Sequence, residues 1–252
     1  MLDAVRAGLT PTFTGVSWAF APSHIFTPLR AGALSVPLAT IPVDPYDFTS
    51  CRFRCGARGT LNLSGRRLAW NPPDYVDSNG GSYFVLSLSK NSNPEYGGRP
   101  RAFRWFSSPL LRSTFFPAFL SALIDRYFIC DKGSLRVSLQ IIVYRPRPNV
   151  LARATPNLVH YDEVGWSSIT ILQKGNISGG EMVIFNREAA GCEAPNLSLD
   201  QRKAFFPMAD PLDTVIFNDD LVAHYVTEMT ATISSSKAIR AVLIVDYECS
   251  SA

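Results

Sequence analysis

The sequence predicts a mainly β domain with flanking helices, and three observations carry that reading. First, the half of the chain after residue 133 is a series of short runs rich in Val, Ile, Tyr and Phe, broken by turn residues. Second, only one segment repeats its apolar residues at helical spacing. Third, 252 residues with 46% hydrophobic content can bury a substantial single core.

Taken in chain order, residues 1–50 are rich in proline and aromatics ("FAPSHIFTPLRAGALSVPLATIPVDPYDF"), with too many breakers for a long helix. They are expected to form an extended arm packed on a single domain spanning 51–252. From "CRFRCGARGTLNLSGRRLAW" onward, alternating runs punctuated by "NPPDYVDSNGG" predict strands and loops. In "SSPLLRSTFFPAFLSALIDRYFIC", Phe116, Phe119, Leu120, Leu123, Ile124 and Tyr127 recur at helical spacing, and Pro117 suits a first turn. A helix is therefore expected over about 115–128. The strands that follow are "SLRVSLQIIVYR", "SSITILQ", "GEMVIFN", "DTVIFN", "LVAHYVTEM" and "RAVLIVDYE". The link "KGNISGG" has the glycines and asparagine of a short reversal, so strands 167–173 and 181–186 are expected to pair antiparallel.

Composition narrows the function. The formal charge is +3, and no lysine- and arginine-rich run with interleaved aromatics marks a nucleic-acid footprint, so a small-molecule partner is expected. Five scattered cysteines do not make a disulfide framework, and Cys51 and Cys55 lack a second cluster to complete a zinc site. No uncharged apolar run is long enough to span a bilayer, and the first residues lack a signal peptide's apolar core, which predicts a soluble cytoplasmic protein. The sequence leaves the oligomeric state open.

The chemistry concentrates around "LVHYDEVGW", residues 158–166. On a strand, alternate side chains share a face, so His160 and Asp162 point together and Tyr161 points away. Of the other two histidines, His24 has no acidic or histidine neighbour and reads as structural or superficial, whereas His224 in "LVAHYVTEM" can supply a third ligand. Two neutral imidazoles and one carboxylate form the facial set of non-haem Fe(II) oxygenases, leaving three positions on the metal for a co-substrate and oxygen. Sixteen residues on, Arg240 opens an apolar strand beside Val242 and Ile244, where a buried charge is costly unless an anion pairs with it. That anion is either a carboxylate of the chain, Asp246 or Glu228, or a carboxylate ligand such as the distal end of 2-oxoglutarate, which the planar guanidinium suits.

The order His160-x-Asp162, His224, Arg240 resembles that of the Fe(II)/2-oxoglutarate-dependent dioxygenases. The closer likeness is to the L-isoleucine dioxygenase group, which hydroxylates free aliphatic amino acids. It rests on "CRFRCGARGTLNL", "HYDEVGWSSITILQKGNISGGEMVIFN", "PLDTVIFNDDLVAHYVTEM" and "RAVLIVDY". The resemblance implies a double-stranded β-helix of jelly-roll, cupin-like type at about 134–248. It implies Fe(II) on His160, Asp162 and His224, 2-oxoglutarate on Arg240, O₂ as the oxidant, and Arg52 or Arg54 on the carboxylate of an amino-acid substrate. Trp166, Phe185 and Phe217 are apolar candidates for the substrate pocket's walls. The strand carrying Gln140, Ile141 and Ile142 departs from the family's histidine-glutamine pattern, which leaves the substrate open. Hydroxylation is the default outcome; desaturation or C–N ring closure of aziridine type, and a non-catalytic jelly-roll binding protein, are the alternatives.

Overall fold

The computed structural model describes residues 17–87, 97–127, 133–154, 157–233 and 237–249. Residues 1–16 of the expected arm, Phe128 at the end of the expected helix, and Cys130 lie outside them. The strands, in chain order, are β1 (Trp18–Ala21), β2 (Arg52–Asn62), β3 (Arg67–Trp70), β4 (Tyr75–Val76), β5 (Ser82–Leu86), β6 (Arg101–Trp105), β7 (Ser134–Tyr144), β8 (Trp166–Gly175), β9 (Ile177–Ser178), β10 (Met182–Asn186), β11 (Arg202–Phe206), β12 (Thr214–Asn218), β13 (Val222–Val226), β14 (Thr230–Ala231) and β15 (Ile239–Cys249). The helices are α1 (Arg30–Leu34) and α2 (Phe115–Tyr127), with short 3₁₀ turns between elements.

A large sheet runs β1-β12-β8-β15-β7-β2-β6-β5-β4, with β3 also on β2, and a small sheet runs β11-β10-β13. From β8 onward the chain alternates between them: β8 large, β10 small, β12 large, β13 small, β15 large. That alternation is the jelly roll. It also corrects the hairpin expected from "KGNISGG". Strand β8 pairs with β12 and β15, and β10 pairs with β11 and β13. The positive φ angles of Asn176, Gly179 and Gly180 are used to carry the chain from one sheet to the other. Turn residues permit a change of direction, but which strand is met afterwards depends on burial.

The period-2 alternation of the large sheet sorts residues onto two faces. On one, Leu139, Ile141 and Val143 of β7 and Leu243, Val245 and Tyr247 of β15 pack with the helices. Helix α2 supplies most of that cover: Phe116, Phe119, Leu120 and Leu123 are fully buried, at about 1.5–3 kcal/mol each. Pro117 sits in its first turn, where a missing N–H costs nothing. On the other face, Ile142, Ile169, Ile171 and Val242 meet Met182, Ile184, Val222 and Val226 of the small sheet. Between the sheets this second core opens into a cavity of about 220 Å³.

The extended arm expected before residue 50 is partly helical. Strand β1 pairs with β12, but Ser23–Leu29 is 3₁₀ and runs into α1, burying Phe26 and Leu29 against α2. Prolines at 22, 28 and 37 shorten these helices without preventing them. Cys51, Cys55 and Cys192 are free thiols. Among the described residues no helix is long and apolar enough to cross a membrane.

Candidate metal and co-substrate site

Two backbone hydrogen bonds build the site's first half. His160 N donates to His224 O at 3.0 Å and His224 N donates to His160 O at 2.8 Å. This single antiparallel bridge lays His160 against the outer edge of β13, and the imidazole centroids stand 4.2 Å apart. Asp162, by contrast, is not on a strand, as the alternation argument supposed. It opens a turn in which Glu163 adopts φ +57°. Asp219 holds that turn, its Oδ2 accepting from Asp162 N at 2.6 Å and from Val164 N at 3.3 Å.

The three side chains nevertheless converge. Asp162 Oδ1 lies 4.0 Å from His160 Nε2, Asp162 Oδ2 lies 3.7 Å from His224 Nε2, and one ligand atom from each residue falls within 4.8 Å of the others. These separations are too long for hydrogen bonds and short enough for one shared cation. The donor chemistry fits as well. His160 Nδ1 is 2.9 Å from Leu158 O, a carbonyl that can only accept, so Nδ1 donates there and Nε2 is the ring nitrogen left to face Asp162. Burial, with His160 alongside, brings His224 down to about 3, so it is a neutral imidazole.

Behind the pair, Asp219 is fully buried, and its Oδ1 stands 3.7 Å from His224 Nδ1. Among the described residues neither atom has a hydrogen-bond partner. Burial first, then Asp162, push Asp219 up to about 8. One carboxylate thus fixes the Asp162 turn and faces the outer nitrogen of His224. Arg187 donates to Asp219 O and stacks over the outward-facing Tyr161 ring at 3.6 Å.

Arg240 is 1% exposed, and among the described residues its Nε and Nη2 have no hydrogen-bond partner. Neither carboxylate of the chain that might have neutralised it does so. Glu228 pairs with Arg153 at 2.7 Å, and Asp246 accepts from Ser167 Oγ at 2.7 Å and Gln140 Nε2 at 3.2 Å. Gly180 makes room for the side chain: a Cβ there would lie 2.6 Å from Arg240 Cδ, at a φ of +75° that disfavours other residues. An enclosed guanidinium with orphaned N–H groups, on the wall of the metal group's cavity, is the chemistry that receives a carboxylate.

The remaining predicted residues divide. Arg52 and Arg54 both face the cavity, but Arg52 is already engaged, its Nε donating to Asp44 Oδ2 at 2.6 Å. Arg54 has no carboxylate partner among the described residues. It donates to Gln140 Oε1 and lies over the Phe103 ring at 4.3 Å, and burial with Arg101 nearby brings it down to about 10. Phe217 lines the cavity and backs His224 at 4.8 Å. Trp166 does not: it packs on the helix-side core, because Ser167 and Ile169 are the β8 residues that point inward. Phe185 faces outward from the small sheet, and His24 is exposed. Sequence reasoning missed Asp219 and Gly180. The one signal was an aspartate in the β12–β13 turn, five residues before His224.

The sequence matches the model of the 2OG-Fe dioxygenase family over residues 38–246. A search of curated proteins gives no match. Among solved structures the chain is similar to IDO from Bacillus thuringiensis, at 15% identity over 99% of this chain and 97% of that one, with a TM-score of 0.63. It is also similar to a bsmA homolog from Methylobium petroleophilum PM1, at 16% identity over 98% and 91% of the two chains and a TM-score of 0.71. A third is the Fe(II)/α-ketoglutarate-dependent dioxygenase TqaL, at 14% identity over 98% and 86%, with a TM-score of 0.69. At such identities the likeness to these three is one of fold.

Proposed function

This chain belongs to the 2OG-Fe dioxygenase family, and is thus an enzyme that uses Fe(II), 2-oxoglutarate and O₂; we propose that it oxidises an unactivated C–H bond of a free aliphatic L-amino acid. His160, Asp162 and His224 hold the iron in this reading, and Arg240 binds the distal carboxylate of 2-oxoglutarate. Iron bound there supplies O₂ activation coupled to the conversion of 2-oxoglutarate to succinate and CO₂, so that one oxygen atom is left for the substrate. The observation that carries the assignment is the pairing of a convergent His-Asp-His group with a buried, partnerless Arg240 on one cavity wall.

The chain's own residues do the positioning. His160 and His224 aim one ring nitrogen each at a common point, and Arg240 with Gly180 forms a socket for an anion. Arg54, rather than the neutralised Arg52, takes the substrate carboxylate. Ile142, Ile169, Ile244 and Val226 give the same cavity an apolar wall for an aliphatic side chain. Its volume, about 220 Å³, lies below the roughly 300 Å³ at which drug-sized sites begin, in keeping with small substrates. This supports a substrate of the kind that the L-isoleucine dioxygenase group uses. We also read residues 51–252 as one oxygenase domain, with the preceding segment packed on its large sheet through β1.

The test is anaerobic Fe(II) reconstitution, then a screen of free amino acids with 2-oxoglutarate in air, reading succinate and product mass together. Stimulation by isoleucine, leucine or valine with a gain of one oxygen is expected. A loss of two hydrogens would assign desaturation or ring closure instead, and stimulation by a peptide but by no free amino acid would overturn the substrate class. A second expectation concerns Asp219. Asp219→Asn keeps an oxygen for the backbone N–H groups of 162 and 164 but replaces the carboxyl group facing His224 Nδ1 with an amide. Metal affinity should fall about 10- to 100-fold in a Co(II) titration; an unchanged affinity would leave Asp219 with the loop alone.

A further inference from the structure

Three cavity-facing side chains form a relay whose far end the reading above does not use. Arg54 donates through Nη2 to Gln140 Oε1, and Gln140 donates through Nε2 to Asp246 Oδ2 at 3.2 Å. Ser167 Oγ closes the other side of Asp246 at 2.7 Å. The sheet register puts them on one wall. Arg54 lies beside Ile142, Gln140 lies between Gly56 and Ile244, and Asp246 lies between Ser138 and Ser167.

The consequence is a buried guanidinium and a buried carboxyl group in one cavity that do not touch, and burial pushes that carboxyl, Asp246, up to about 7. Among the described residues neither has an ion-pair partner, although Arg54 is 8% and Asp246 6% exposed. Holding either charge in that state is costly. Gln140 keeps them apart and fixes the polarity, because its oxygen can only accept from the guanidinium and its nitrogen can only donate to the carboxylate. Each charge therefore sits one hydrogen bond from opposite ends of a single primary amide. A ligand that carries an anion and a cation on neighbouring atoms can reach both at once.

We propose that Asp246 receives the α-ammonium group of the amino acid whose carboxylate Arg54 holds, so that the Arg54–Gln140–Asp246 relay selects a zwitterion against carboxylic and 2-hydroxy acids. The inference rests on the amino-acid reading and adds its specificity determinant. Asp246 is suited to that task by its place. It is the buried one among the four acidic side chains on the cavity wall, the others being Asp162, Glu163 and Glu248. Its two neutral donors orient the carboxylate without neutralising it.

Binding separates this from turnover. With Zn(II) in place of iron and 2-oxoglutarate present, calorimetry compares L-isoleucine with its 2-hydroxy analogue on the wild type and on Asp246→Asn. The wild type should prefer the amino acid by about a hundredfold or more, the effect expected when a buried charge loses its partner, and Asp246→Asn should bring the two Kd values within a few fold. A preference that survives in Asp246→Asn overturns the inference and leaves the amino-acid reading standing. A wild type that binds neither compound, and releases no succinate with any free amino acid, overturns both. If Asn at 246 prevents folding, Gln140→Leu removes the separator and lets the two charges pair with each other. Retention of the amino-acid preference in that variant overturns the inference equally.

Discussion

Replacing His160 with alanine is expected to lower 2-oxoglutarate turnover by more than about a thousandfold, because the metal supplies several kcal/mol of transition-state stabilisation and each 1.36 kcal/mol is a factor of ten. The bridge that positions residue 160 is made by backbone atoms, His160 N to His224 O and the reverse, so the substitution leaves the β13 edge intact. A structural histidine and a ligand then give different results in thermal unfolding. The wild type should be stabilised by added Co(II) or Zn(II) in proportion to RT ln(1 + [M]/Kd), and His160→Ala should lose that shift while retaining the metal-free Tm within a few degrees. A metal-dependent shift equal to the wild type's would remove His160 from the metal site. The same outcome is expected of His224→Ala, with a larger loss of metal-free stability, since His224 also packs from β13 on Phe217 of the large sheet.

The second large effect is at Arg240. Truncating one member of a buried charge pair costs about 2–5 kcal/mol, so Arg240→Ala should raise the 2-oxoglutarate requirement by about 30- to 5,000-fold. Stability should move differently. In the absence of 2-oxoglutarate the guanidinium has burial to offset and no partner for Nε or Nη2, so removing it should cost little metal-free stability for a side chain this enclosed. A core arginine tied to the chain's own carboxylates would instead be strongly destabilising to remove. Titration of 2-oxoglutarate against succinate release, beside an unfolding curve for each protein, reads both quantities. Arg240→Lys should fall between, since an ammonium keeps the charge but not the two-point geometry. An unaltered requirement in Arg240→Ala would end that residue's assignment.

Much of this was legible without coordinates. Strands β7, β8, β10, β12, β13 and β15 and the helix at Phe115–Tyr127 follow from β-forming composition and helical spacing, whereas β9, β11 and β14 were not legible. His160, Asp162, His224 and Arg240 stood out because histidines are few here and because an arginine inside an apolar strand demands an anion. Trp166 shows the limit of the same reasoning. Its place on a strand next to the motif is visible, but which face it takes depends on a register set by Ser167 and Ile169. Residues 176–180 show another, since the same glycines serve a hairpin or a crossing between sheets.

The sequence by itself determined the periodicities, the polar residues that interrupt them, and hence the candidate metal-binding trio and the arginine that needs a partner. Only the tertiary structure decided that Asp162 is presented by a turn anchored on Asp219, that Arg52 is neutralised by Asp44 while Arg54 is not, and that Gln140 holds Arg54 and Asp246 apart. The physical reason is the range of the forces. Side-chain period is a local property of the backbone, whereas whether a buried charge has a partner depends on strands that are distant in sequence and neighbours in the sheet.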